Sequence, residues 1–77
     1  MKRIVLYGSP ECHLCAVAKA KLERVGRFVA FELEEVDVRS DPALLERYGS
    51  RIPVVTIDGR EALVSKVTEF RLLRALW

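Results

Sequence analysis

Ile4-Val5-Leu6-Tyr7-Gly8-Ser9-Pro10-Glu11-Cys12-His13-Leu14-Cys15 is the stretch on which the fold of this chain turns. Its apolar opening reads as a buried strand over residues 3–7. A helix should follow from near Cys12 to about Val25 or Phe28, with Cys15, Ala18, Leu22 and Val25 inward at spacings of three, four and three. Ser9-Pro10 offers an N-cap followed by a proline in the first turn. Cys12 and Cys15 are the only cysteines in the chain. Residues three apart on a helix are neighbours, so a disulfide can form and break there with little backbone movement. The positive end of the helix favours a thiolate over a thiol. A strand, a loop and a helix opening on Cys-x-x-Cys therefore read as a dithiol redox site.

Outward from this segment the pattern continues with helices and strands in turn. Leu33 to Val38 reads as a second strand with Val36 and Val38 on one face. Phe31 and Leu33 have the opposite parity, which implies a bulge or a late start. Asp41-Pro42 opens a short helix with Asp as cap and Pro at the first position, Leu44, Leu45 and Tyr48 inward and Gly49 as stop. Pro53–Ile57 is a third strand. Asp58-Gly59 is a two-residue hairpin signal leading to a fourth strand near Arg60–Val64. Ser65 can cap a last helix with Val67, Phe70, Leu73 and Leu76 or Trp77 inward. The order is β-α-β-α-β-β-α. Right-handed crossovers would make the first three strands parallel and the tight hairpin would make the fourth antiparallel. Helices on both faces of a four-stranded mixed sheet follow.

The bulk numbers agree with a single α/β domain over residues 1–77. Hydrophobic residues make up 51% of the 77 positions, enough for a packed globule. No apolar run approaches the roughly 18 residues of a membrane span, and no secretory signal is visible. No membrane association and a cytoplasmic location are therefore expected, and a lone disulfide there is catalytic or transient. The net charge of +2 is spread along the chain without a basic stripe, so no nucleic-acid partner is expected. Nothing calls for an oligomer, and the working expectation is a monomer.

These residues resemble the thioredoxin superfamily, specifically its short glutaredoxin-like branch. Tyr7-x-x-Pro10-x-Cys12-x-x-Cys15 looks like the glutaredoxin active-site entry. Tyr48-Gly49-x-Arg51-Ile52-Pro53 resembles the segment carrying the family's cis-proline, and Ile57-Asp58-Gly59 resembles the hairpin after it. The resemblance covers essentially the whole chain. It implies a thioredoxin-like fold and a thiol-disulfide oxidoreductase of dithiol type, serving electron transport through a redox-active Cys12–Cys15 disulfide. Cys12, at the helix tip, is the expected nucleophile that forms a mixed disulfide, and Cys15, on the packed face, the expected resolving thiol. His13 lies between them and can stabilise a thiolate or donate a hydrogen bond; Glu11 works against thiolate formation. The resemblance makes Pro53 cis and sets the Ile52 backbone beside the Cys12 sulfur, where an extended substrate could pair by strand addition. Tyr7 can line a shallow groove and Arg51 can attract a substrate carboxylate.

The chain departs from glutathione-using glutaredoxins at four places. They carry a basic residue two positions after the Tyr, a Thr two before the cis-proline, and a Gly-Gly followed by acidic residues after the hairpin. Here stand Ser9, Arg51, Leu63-Val64 and Lys66-Val67. The expected partners are thus a protein or small-molecule disulfide and a thiol or reductase that donates electrons. No cofactor is expected, and glutathione stays open only as a co-substrate. Two other classes compete. Copper-chaperone domains also place Cys-x-x-Cys between a first strand and helix, and soft thiolates suit Cu(I); their element order ends on a strand, whereas this chain ends on a helix. A closed zinc site needs four ligands, more than these two Cys and His13 supply, so no resident metal is expected. A redox-inactive adaptor would use the fold for contacts alone.

Overall fold

The computed structural model describes residues 1–76. Strand β1 covers Lys2–Gly8 and helix α1 His13–Val25; strand β2 covers Phe31–Asp37 and ends in a 3-10 turn at Val38–Ser40. Helix α2 (Pro42–Tyr48), strands β3 (Val54–Ile57) and β4 (Arg60–Val64) and helix α3 (Glu69–Leu76) complete the order. The strands lie as β2-β1-β3-β4, so β1 is central. This is the mixed α/β arrangement of a thioredoxin-like fold.

Local signals act as their chemistry requires. Asp41 caps α2 by accepting from the Ala43 N–H at 2.9 Å. Asp58 (φ 51°) and Gly59 (φ 86°) turn β3 into β4 in the left-handed conformations that a two-residue hairpin needs. Cys15, Ala18, Leu22 and Val25 form the buried stripe of α1. Ala18, Leu22 and Val25 pack on Ile4 and Leu6 of β1, Val55 and Ile57 of β3, and Leu72 and Leu76 of α3. The alternate residues of β1 and β3 face the other way, where Tyr7 and Val54 meet Val38, Leu44, Tyr48 and Ile52. Helices α1 and α3 thus share one face and α2 covers part of the other.

One strand direction differs from expectation. Strand β1 is parallel to β2 but antiparallel to β3, so the first three strands are not all parallel. Length explains it. A parallel return must run back along a strand of seven residues, about 23 Å. Helix α1, with 13 residues, spans about 20 Å and makes that return, whereas α2, with seven, spans only about 10 Å. Helix α2 stays at the end of the sheet where β2 stops, and β3 starts from that end.

The remaining differences are local. The β1–β2 register runs unbroken from Lys2↔Phe31 to Gly8↔Asp37, so β2 has no bulge. The irregularity lies in β3–β4, between Val55 and Thr56. The two parities of β2 serve two faces: Phe31 packs against the α1 cluster, and Val36 pairs with Tyr7. Val38 is buried, but in the 3-10 turn rather than the strand. Leu45 is half-exposed instead of inward. Ser65 does not cap α3. It lies at φ 69°, with the Lys66 N–H bonded to the Val64 carbonyl at 2.8 Å, a strained three-residue turn. The Thr68 hydroxyl instead accepts from the Arg71 N–H, and the later start rotates the helix. Leu72 and Leu76 face the core while Phe70 is 73% exposed and Leu73 partly so. Trp77 lies outside the described residues.

This rotation of α3 is measurable in chemical unfolding. Leu72→Ala is expected to cost about 2–5 kcal/mol, as for a fully buried leucine. Phe70→Ala should stay within about 0.5 kcal/mol, as for a surface side chain. Comparable losses for the two variants would contradict the observed face of α3.

Candidate functional site

The two cysteines occupy adjoining but unlike positions. Cys12 is the N-cap of α1, with extended backbone (φ −85°, ψ 114°), and its Sγ accepts the Cys15 N–H at 3.2 Å. The cap is therefore Cys12 itself rather than Ser9, whose carbonyl instead accepts the Cys12 N–H at 3.2 Å in the preceding turn. Pro10 sits in that turn, before the helix. Cys12 is partly exposed, at the end of a helix whose free N–H groups carry partial positive charge. Cys15, one turn on, is 6% exposed. Burial, with the Cys12 sulfur beside it, pushes the Cys15 thiol up from 9.0 to about 11.

The seat of Cys15 depends on Gly8. A Cβ on Gly8 would lie 2.8 Å from the Cys15 Sγ and 3.0 Å from its Cβ, closer than packed atoms tolerate. Gly8 therefore lets α1 settle against the end of β1. An open groove of about 430 Å³ runs from the dithiol toward β2. Cys12, Cys15, Gly8 and Ala16 line it on one side and Glu35, Val36 and Asp37 on the other, with Lys19 at the rim. Lys19 pairs with Glu35 at 3.2 Å. Asp37 is gripped by Arg39 at 3.0 Å, which holds its carboxyl below the usual carboxylate range. Arg39 also reaches Glu11 at 3.7 Å, tying the end of β2 to the residue before Cys12.

The other residues singled out from sequence lie elsewhere, and none of Tyr7, His13, Arg51, Ile52 or Pro53 lines this groove. His13 is exposed on the first turn of α1. Tyr7 and Ile52 belong to the cluster on the α2 side, where Tyr7 stacks on Tyr48 at 4.3 Å between ring centroids. Arg51 lies over the same Tyr48 ring and makes paired hydrogen bonds to Glu61 at 2.9 and 3.1 Å. The Ile52–Pro53 peptide bond is cis, and Pro53 leads into β3. Sequence reasoning did not pick out Gly8, Asp37 or Lys19 for the site. A glycine ending a strand just ahead of Cys-x-x-Cys was the legible signal for the first. The other two needed the β1–β2 register.

The raised Cys15 thiol makes stability depend on pH. The folded state holds this proton more tightly than the unfolded chain, so the contribution is complete below about pH 9 and lost as pH rises toward about 11. Between about pH 8.5 and about pH 10 the reduced protein should lose about 1 kcal/mol more than Cys15→Ala loses. Urea unfolding of both proteins across this range checks it, and parallel curves would refute the assignment.

A model of the "Glutaredoxin-like domain (DUF836)" matches residues 3–77. An uncharacterized protein of Mycobacterium tuberculosis, Rv0508, is 32% identical over 66 residues, covering 79% of this chain and 68% of that one. Among solved structures, protein XcR50 from X. campestris is 37% identical with a TM-score of 0.74, over 90% of this chain and 88% of that one. Protein Ne2328 from Nitrosomonas europaea is 26% identical with a TM-score of 0.85, over 99% of this chain and 92% of that one. Glutaredoxin 1 from Francisella tularensis shares the fold at 20% identity and a TM-score of 0.53, over 96% of this chain and 91% of that one. With the two adjoining thiols, the family match over residues 3–77 supports a redox-type role. The chain belongs to the glutaredoxin-like domain family.

Proposed function

We propose that this domain is a dithiol thiol-disulfide oxidoreductase in which Cys12 attacks and Cys15 resolves. The observation that carries the reading is the 3.2 Å hydrogen bond from the Cys15 N–H to the Cys12 Sγ. It aims a backbone donor at the partly exposed sulfur while the second thiol sits buried one turn away. In the reaction the Cys12 thiolate attacks one sulfur of a substrate disulfide and releases the other half as a thiolate, which takes up a proton. Cys15 then loses its proton and attacks the Cys12 Sγ. The Cys12–Cys15 disulfide forms, and the second substrate half leaves as a thiol.

The order of the steps follows from the environment of Cys15. Burial is the first cause of its raised pKa, and its contacts with Cys12 are the next. While Cys12 is free, both effects keep Cys15 protonated and out of competition for substrate. Once Cys12 is a mixed disulfide, the contacts with its thiol that help raise Cys15 are gone and Cys15 ionises more readily. Resolution is therefore favoured at the moment it is needed.

His13 and the Ile52–Pro53 backbone are assigned to substrate contact, the latter as an edge for an extended chain. Tyr7 and Arg51 shape that side through Tyr48. Glutathione is not the dedicated partner. The place of the family's glycine pair is held by Leu63, which faces the main core, and Val64, whose exposed side chain crowds close backbone approach by a ligand. The electron donor is a thiol or a reductase, and the working site is cytoplasmic.

Equilibration in dithiothreitol redox buffers, quenched by alkylation, checks the mechanism. The wild-type protein should interconvert between a dithiol and one intramolecular disulfide. Cys12→Ser should abolish disulfide reduction, and Cys15→Ser should accumulate the mixed disulfide on Cys12. Reductase activity that survives in Cys12→Ser would sink the proposal.

A further inference from the structure

The groove on the β2 side of the dithiol is separate from the Ile52–Pro53 side and carries its own charges. We infer that it binds a small zwitterionic disulfide, one bearing an ammonium and a carboxylate on the same carbon, one methylene removed from the sulfur, as L-cystine does. This rests on the disulfide-exchange reading above.

Its volume of about 430 Å³ falls within the range of small-ligand sites, about 300–1,000 Å³. Cys12 lines the groove, so a ligand lying in it presents its sulfur to the reacting atom. The charges sit as opposites across the groove. Lys19 stands on α1, and Glu35 and Asp37 stand on one face of β2, with Asp37 in register with Gly8. Lys19 and Glu35 satisfy each other at 3.2 Å with both side chains about half-exposed. An exposed pair of this kind is weakly held and opens at little cost.

A zwitterion can open that pair and leave both members satisfied. Its carboxylate takes the Lys19 ammonium, and its own ammonium takes Glu35 or Asp37. Asp37 is already fixed by Arg39 at 3.0 Å and needs little ordering. A doubly cationic disulfide would leave Lys19 facing a like charge, and a doubly anionic one would leave Glu35 facing a like charge once its pair with Lys19 opens. A cysteine inside a polypeptide has neutral amides where these charges would be and gains nothing from the walls. Attack by the Cys12 thiolate breaks the cystine S–S bond, forms the Cys12–cysteine mixed disulfide and releases one cysteine thiolate, which is protonated. Cys15 gives up its proton, attacks Cys12 Sγ and releases the second cysteine. One cystine and the protein dithiol become two cysteines and the protein disulfide, with two electrons transferred.

The experiment mixes reduced, desalted protein with excess disulfide and follows Cys12–Cys15 oxidation by quench and alkylation. L-Cystine, cystamine, 3,3′-dithiodipropionate and bis(2-hydroxyethyl) disulfide are compared, each rate divided by that of free dithiothreitol at the same pH to remove intrinsic reactivity. Cystine should be favoured over each of the other three by about tenfold, the scale of one charge-assisted contact. In Lys19→Gln and in Glu35→Gln the ratio of the cystine rate to the hydroxyethyl disulfide rate should fall toward one. Equal normalised rates for all four disulfides, or a ratio untouched by both substitutions, would overturn the groove assignment while leaving disulfide exchange standing. Failure of all four to oxidise the protein would overturn the exchange reading and this inference together.

Discussion

The absence of a side chain at Gly8 is the constraint from which the site is built. A Cβ there would come within 2.8 Å of the Cys15 Sγ, so a larger residue would lift α1 off the end of β1. With glycine, the helix packs close, Cys15 is sealed in, and Cys12 is left at the cap with a backbone N–H on its sulfur. Two chemically identical thiols are made unequal by one helical turn. Burial raises the Cys15 thiol, while Cys12 stays partly exposed at the helix cap.

The sheet then decides what surrounds the pair. Because β1 has a parallel neighbour on one side and an antiparallel one on the other, the last residues of β1 and β2 and the first residues of β3 meet at one end. Register makes this concrete: Gly8 stands beside Asp37, and Tyr7 beside both Val36 and Val54. Helix α2, too short to run back along the sheet, stays at that end and lays Tyr48 on Tyr7. The dithiol lines a charged groove on the β2 side, and an aromatic, arginine-flanked cluster lies on the α2 side of the same sheet end. A fully parallel sheet would have carried the start of β3 to the far end and removed the second of these surfaces.

What could be read from the sequence was whatever a few adjacent residues decide. The buried stripe of α1, the Asp41-Pro42 start of α2 and the Asp58-Gly59 hairpin each follow from local stereochemistry. The direction of β3 was misread because it depends on the reach of α2 against the length of β1, a comparison between distant elements. The face of α3 was misread in part: Val67 and Leu76 are buried as expected, but Ser65 adopts a left-handed turn, the helix is capped by Thr68 instead, and Leu72 rather than Phe70 and Leu73 faces the core. The cap of α1 was misassigned because serine is the commoner cap, while here the cysteine sulfur itself accepts the N–H. For the site, the two thiols were plain from spacing. The groove beside them was not, since Lys19, Glu35 and Asp37 become neighbours only through the β1–β2 pairing.

The carboxylates of β2 bear on two problems at once. As an edge strand of seven residues, β2 exposes unpaired backbone groups that invite association with another chain. Glu32, Glu34 and Glu35 are exposed along it, and charges in that position discourage such pairing. Their faces alternate: Glu34 meets Arg3 across the sheet, whereas Glu35 meets Lys19 from α1. The strand is thus protected from both faces, and the Glu35 and Asp37 face also forms the far wall of the groove beside Cys12. A substitution chosen only to relieve charge on the edge would alter the wall as well. Glu35 therefore belongs to the protected edge and to the groove wall at once.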